Sequence, residues 1–300
     1  MSKQYKVSVV VVTRDRSEVL RRCLKSIYKS ILKPSKVIVV DNASADNTAL
    51  VVKKSFPKVH LIRNSKNTGA ATGRNIGATG SDSEFIFFLD DDAYIEPSTI
   101  QNALKVILTD PNIAIVQTKV LSDINPKKIL GIAHDIDTRT SLIKAYGVNE
   151  LDKGQYSNVI DIPMVGTGWL IRRKVFNRVD GFDEKFFVPY EDSDISLRIR
   201  KLGYRIVFAP NSQIWHQELK KTDINPRIRS IGIASPERAL YVGRNKIYFM
   251  RKHSSGVSRK LFFFILLPVF ISYHCFIITT SFRFDILWIY LRGVYQGFKL

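Results

Sequence analysis

Asp90-Asp91-Asp92 places three carboxylates on consecutive residues, directly after the apolar run Phe85–Leu89. Adjacent carboxylates repel one another unless a cation sits between them. Hard oxygen donors that act together with substrate phosphates suit Mg²⁺ or Mn²⁺, and a solvated acidic turn is the plainer alternative. Asp41-Asn42 also follows an apolar run, where the Asp can accept from a base or sugar hydroxyl or can form an Asx turn ahead of Ser44. Glu191-Asp192-Ser193-Asp194 opens a helical pattern. Carboxylates there are stabilised by the helix dipole, and one that faces a cleft can serve as a general base. Gly69–Gly77 is rich in small residues, which suit either a phosphate at a helix N-terminus or tight packing of helix on sheet. The Gly-Lys-Ser/Thr ending of a Walker loop is missing. His216 follows a strand-like run and is structural unless other ligands meet it.

These residues need a scaffold, and the apolar pattern supplies one. Val7–Val12 and Val37–Val40 are continuous apolar runs, as strands buried on both faces are. Val59–Ile62, Phe85–Leu89, Ile113–Val120 and Arg205–Ala209 follow as further strands. Leu20, Leu24, Ile27 and Ile31 have helical spacing behind Ser17 as N-cap, and Asp46–Lys54, Gly69–Thr79 and Pro97–Leu108 read as helices. Ile195, Ile199 and Leu202 share a helical face that Gly203 closes. The alternation predicts an α/β fold with a mostly parallel central sheet flanked by helices. Ligands of such sheets bind beyond the carboxyl ends of the strands, which selects Thr13-Arg14-Asp15, Asp41-Asn42, Arg63-Asn64 and Asp90-Asp91-Asp92.

In order and spacing, these stretches resemble glycosyltransferase family 2, especially its rhamnosyltransferase-like members. The resemblance runs from about Val7 to His216, and more loosely to Lys252. It is carried by Val9–Asp15, Val39–Ser44, Asn67-Thr68-Gly69 with Gly73–Gly77, Phe88–Asp92, Gly166–Arg173, Gly181–Glu184, and Glu191–Asp194 with Arg198. It implies a GT-A nucleotide-binding fold, with a donor half over about 1–120 and an acceptor half over about 121–252, while composition marks off a basic, apolar tail over 253–300. It further implies an inverting transferase that takes a nucleotide sugar and a divalent metal, Mg²⁺ or Mn²⁺. Asp41 resembles the residue that bonds a pyrimidine, favouring UDP or dTDP over GDP. Asp90 and Asp92 resemble the outer positions of the metal motif, Asp92 being the more direct ligand, and His216 resembles the late histidine of the metal or diphosphate site. Asp192 resembles the general base. Thr13, Arg14, Arg74 and Asp91 fall on the donor side, and Gly168, Trp169 and Glu191 on the acceptor side. No Gln-x-x-Arg-Trp motif follows the base, so a single-addition, non-processive enzyme is expected rather than a polymerase.

The chain has 300 residues and a formal charge of +19, with 14 Lys/Arg against 4 Asp/Glu in residues 211–300. Such a basic segment suits a polyanion. Between Lys220 and Lys260 there are eleven Lys/Arg and only two acids, Asp223 and Glu237, and Leu261–Thr280 then carries no charged residue. That C-terminal apolar helical segment is long enough to cross a bilayer, as a spanning helix or as an in-plane one with both ends cytoplasmic. Trp288, Tyr290 and Tyr295 suit an interface, and a buried helix of a soluble domain is the alternative. The expected acceptor is a lipid-linked glycan or polysaccharide precursor, reached at the cytoplasmic face of a membrane surface. No signal peptide is expected, because Val7–Val12 is short and Arg14 and Arg16 follow it. Cys23 and Cys275 form neither a disulfide framework nor a zinc site. A sugar nucleotidyltransferase would need a glycine-rich loop after the first strand, and Thr13-Arg14-Asp15-Arg16 has no glycine. A non-catalytic basic binder of membrane or nucleic acid leaves both acidic clusters unexplained, and no nucleic-acid partner is expected.

Overall fold

A computed structural model describes residues 5–218 and 224–300. Lys220, Lys221 and Asp223 of the basic band lie outside the described residues. The chain forms two compact units: residues 1–135, 145–184 and 192–218, and residues 136–144, 185–191 and 219–300.

The first unit opens with strand–helix alternation: β1 (Val7–Thr13), α1 (Ser17–Tyr28), β2 (Lys36–Asp41), α2 (Thr48–Ser55), β3 (His60–Arg63), α3 (Gly69–Thr79) and β4 (Phe85–Asp90). β5 (Ala93–Ile95), α4 (Thr99–Leu108), β6 (Ile113–Ser122), β7 (Ile129–Gly131) and the hairpin β8 (Ala133–Ile136)–β9 (Ile143–Tyr146) follow. The tip of that hairpin, residues 136–144, counts with the second unit. β10 (Ile160–Asp161), β11 (Trp169–Arg172), α5 (Arg173–Arg178), α6 (Glu191–Lys201) and β12 (Arg205–His216) close the series. The main sheet has the order β10-β12-β6-β11-β4-β1-β2-β3, with β5 on β12 and β7 on β6. β4, β1, β2 and β3 are parallel, while β11 runs antiparallel between β4 and β6. Val7, Val9 and Val11 pack under α1 and α4, and Val10 faces α3 on the opposite side. Both faces are thus covered, which is why these strands read as unbroken apolar runs.

Two helix ends differ from the sequence reading. Ser17 is the first helical residue rather than the cap, and its N–H donates to the Asp46 carboxylate at 3.3 Å. α1 stops at Tyr28, so Ile31 lies beyond it and is exposed, as Leu202 is beyond α6. The Ile31 N–H donates to the Pro97 carbonyl at 2.8 Å instead of to a helical carbonyl.

The second unit contains α7 (Pro226–Ser230), α8 (Pro236–His253), α9 (Gly256–Leu261), a π-helical turn (Phe262–Leu266), α10 (Leu267–Thr280) and α11 (Phe284–Lys299). Ser235 caps α8 by accepting from the Arg238 N–H, with Pro236 in the first turn. Asn245, buried in α8, donates to the carbonyls of Phe186 and Pro189, which fixes the 185–191 segment to that helix.

Candidate active site

The strand register assembles the site. Thr13 pairs with Asp41, Asp41 with Arg63 and Val12 with Asp90, so four strand ends share one edge of the sheet. β11 runs antiparallel to β4 with Trp169 opposite Phe88. Thr167 thereby reaches Asp90, and its hydroxyl donates to Asp90 Oδ2 at 2.6 Å. β5, directly after the acidic triplet, pairs its Ala93 with His216. That pairing sets His216 Nε2 3.0 Å from Asp92 Oδ1 and 3.9 Å from Asp90 Oδ2. Asp90, Asp92 and His216 each present a ligand atom within 4.8 Å of the others.

Cations hold the acids together. Arg74, buried on α3, donates to Asp90 Oδ1 at 2.8 Å and to Asp192 Oδ1 at 3.1 Å. Arg16 reaches Asp91 at 3.1 Å and Asp92 at 2.9 Å, and the Thr13 hydroxyl donates to Asp91 at 2.7 Å. Burial works against ionisation of Asp90, yet the Arg74 and His216 charges and the Thr167 hydroxyl hold its carboxyl below the usual range. Burial pushes the Asp91 carboxyl up to about 6 despite Arg16. Burial alone would lower the His216 imidazole, but the hydrogen bond to Asp92 and the charges of Asp92 and Asp90 raise it to about 9.

Asp90, Asp91, Asp92, Arg74, Asp192, His216 and Thr13 therefore meet in one place. Arg14 stays half-exposed beside Asp15, 3.4 Å away. Asp41 is fully buried and accepts from the Ser44 N–H at 2.8 Å and from Arg63 at 3.0 Å, so the turn it makes is the local alternative of the sequence reading. Trp169, assigned to the acceptor side, instead lies in the core between Phe88 and Phe182. Alternation on β11 decides this, since the residue paired with Phe88 shares its apolar face. Glu191 is buried, falls with the second unit and adds its charge to the surroundings of Arg238. Gly168 has φ +71°, and a Cβ there would run into Ile214. Its role is conformational, holding the loop that delivers Thr167.

The small residues of α3 serve packing. A Cβ on Gly73 would meet Val12 at 2.7 Å, and one on Gly77 would overlap Val10. Sequence reasoning passed over Arg16, Thr167, Gln117 and His134. Arg16 carried a signal, being basic and three residues beyond the end of β1. Gln117, buried on β6, donates to the Thr167 carbonyl at 2.8 Å and accepts from the Gly166 N–H at 2.8 Å. A cavity of about 270 Å³ opens beside His216 and Thr167, walled by Gln117, Leu130, Ile132, His134 and Val148. His134 bonds the Ser193 hydroxyl at 2.8 Å, and burial depresses its imidazole to about 4.

A family model described as "Glycosyl transferase family 2" matches residues 8–180. The chain is 25% identical over 251 residues to the N-acetylglucosaminyl-diphospho-decaprenol L-rhamnosyltransferase of Mycobacterium tuberculosis (strain CDC 1551 / Oshkosh), covering 73% of this chain and 78% of that one. It is 29% identical over 228 residues to the dTDP-rhamnosyl transferase RfbF of Shigella flexneri, covering 72% and 71%. Among solved structures, the mannosyltransferase PcManGT of Pyrobaculum calidifontis, in complex with GDP-Man and Mn²⁺, superposes with a TM-score of 0.60 at 17% identity. That superposition covers 99% of this chain and 88% of the other.

Proposed function

Because this chain belongs to glycosyltransferase family 2 and carries its GT-A fold, we propose that it is an inverting, non-processive enzyme moving a sugar from a pyrimidine nucleotide to a lipid-linked glycan or polysaccharide-precursor acceptor. The observation that carries this reading is the bridge made by Arg74. One guanidinium bonds both Asp90, in the candidate metal set, and Asp192, the candidate base. Donor and acceptor chemistry thus share a single rigid link.

The donor half is residues 1–120 and the acceptor half is residues 121–252. Asp90, Asp92 and His216 fit a divalent ion, two hard oxygens and one imidazole being suitable ligands for Mg²⁺ or Mn²⁺. When bound, such an ion supplies neutralisation of the charge that develops on the leaving diphosphate. Thr13 and Arg16 hold Asp91, Arg16 also holds Asp92, and Arg14 borders the donor. Asp41 frames the base through the 41–44 turn. Asp192 accepts the proton of the acceptor hydroxyl. That oxygen attacks the anomeric carbon as the bond to the nucleoside diphosphate breaks on the opposite face, which inverts the configuration. The cavity beside His216, with Leu130, Ile132, His134 and Val148 in its wall, receives the acceptor. The names of the two relatives support a dTDP-rhamnosyl donor and a polyprenyl-diphosphate acceptor. The basic, apolar tail supports work at the cytoplasmic face of a membrane.

A thermal-shift panel of UDP, dTDP and GDP, each with and without Mn²⁺, tests the donor site. A ligand that binds only the folded state stabilises by about 2.7 kcal/mol at a hundred times its dissociation constant. A shift that needs both Mn²⁺ and a pyrimidine nucleotide is expected. No shift with any nucleotide, in protein shown to be folded, overturns the reading.

A further inference from the structure

Residues Gly256–Thr280 form one apolar helical run, 25 residues long, with a mean hydropathy of 2.4 over its most apolar stretch. At 1.5 Å per residue it is long enough to cross a bilayer. The packing of α11 within the same unit decides otherwise.

α11 returns to pack along α8. A Cβ on Gly293 would run into the Leu240 carbonyl, one on Gly297 would meet Arg244 O at 2.8 Å and Ile247 Cβ at 2.9 Å, and one on Gly243 would meet Tyr290 O at 2.7 Å. Arg251 Nη1 donates to the Phe298 carbonyl at 3.1 Å. Residues 240, 244 and 251 thus meet 293, 297 and 298, so the two helices are parallel and in backbone contact. Parallel neighbours require a return path, and the apolar run provides it. Arg259 at its start donates to the Ser254 carbonyl, Lys246 lies 4.0 Å over the Phe270 ring in its middle, and His274 further on bonds the Tyr290 hydroxyl at 2.9 Å.

If Gly256–Thr280 crossed a bilayer alone, α8 and α11 would lie on opposite sides and their contact could not exist. If all three helices crossed together, Glu237, Arg238, Arg244, Lys246, Arg251 and Lys252 of α8 would enter hydrocarbon, along with Arg292 of α11. Neither arrangement is tenable.

We propose that residues 256–299 form an in-plane, one-sided anchor seated on an anionic lipid bilayer, with both ends of the anchor on the same side. The proposal rests on the membrane-associated reading above and fixes its topology. Two stripes are apolar and uncovered. On the long run Val257, Leu261, Phe264, Val269, Tyr273 and Phe276 are exposed, and on α11 Phe284, Trp288, Leu291, Tyr295 and Phe298 recur at steps of four and three. Each is one face of a helix. Exposed Arg259, Lys260, Arg292 and Lys299 flank them, whereas the one acid of the segment, Asp285, is paired with Arg283 at 2.7 Å. An apolar face rimmed by cations is the pattern of a helix lying at an anionic lipid surface.

The test uses the full chain in two steps. First, the protein is floated with phosphatidylcholine vesicles with and without phosphatidylglycerol. Binding to the anionic vesicles is expected, weakened at least about tenfold by Phe264→Glu with Trp288→Glu. Second, Cys23 and Cys275 are replaced by Ser, and Ser255→Cys and Leu300→Cys are introduced separately. Each is treated with a membrane-impermeant maleimide on sealed inside-out vesicles from expressing cells. Both positions should label without detergent. Labelling of Leu300→Cys only after detergent overturns the one-sided anchor while leaving membrane association intact. Failure to bind any vesicle, with or without dimerisation through the stripes, overturns membrane association itself.

Discussion

The two compact units handle charge in opposite ways. In the first, Asp90, Asp91, Asp92 and Asp192 are balanced within hydrogen-bonding distance by Arg16, Arg74 and His216. In the second, exposed cations stand beside uncovered apolar stripes with few acids among them. A balanced, half-buried cluster is preorganised for a small ligand, because its groups already occupy fixed positions. An unbalanced, apolar surface suits an extended partner that supplies both opposite charge and hydrocarbon. Composition alone, at +19, merges these two behaviours into one basic protein.

The contrast can be broken most decisively at Asp192. Asp192→Asn keeps the shape and the bond to Arg74 but removes the proposed base, so turnover should fall by about 10²–10⁴-fold. Donor affinity and vesicle binding should stay unchanged, and steady-state kinetics beside a flotation assay read both. Near-normal turnover would remove Asp192 from the mechanism.

The balance itself predicts a pH dependence. The His216 imidazole is raised from about 6.5 to about 9, so the stability it contributes is fully present below pH ~6.5 and is lost as pH rises through ~9. Metal-free protein should lose at most about 3 kcal/mol across that window relative to His216→Gln. Denaturant unfolding at several pH values measures the difference, and parallel slopes in the two proteins would show that His216 does not hold the acids together. Mn²⁺ affinity should rise over the same window, because a ligating nitrogen must be free of its proton.

The smallest effect sharpens the assignment of α3. Gly77→Ala forces a methyl group against Val10, which should cost about 1–3 kcal/mol in unfolding free energy. Donor affinity should not change. A loss of donor affinity without a loss of stability would return the small-residue stretch to a phosphate-binding role.

β1, β2 and β4 were legible because each is covered on both faces and reads as an apolar run, whereas the edge strand β3 is only half-buried. Strand ends then point to ligands, and Thr13, Asp41 and Asp90 lie together as that rule requires. Helix ends were less legible. Ser17 looks like a cap, yet Asp46, 29 residues later, fills that place. Trp169 looked available to an acceptor, but alternation on an antiparallel strand turned it into the core.

By itself the sequence determined the alternating α/β pattern, the acidic strand end and the basic, apolar tail, because these depend on local periodicity and composition. Tertiary structure decided which distant groups neutralise one another. β11, inserted antiparallel beside β4, brings Thr167 to Asp90, and the pairing of β5 with β12 brings His216 to Asp92. Tertiary structure also decided how the tail is arranged, since only the packing of α11 on α8 shows that the apolar run turns back. A charge or an apolar run acquires its role from the groups packed beside it, and those neighbours are set by strand order and helix packing rather than by nearness along the chain.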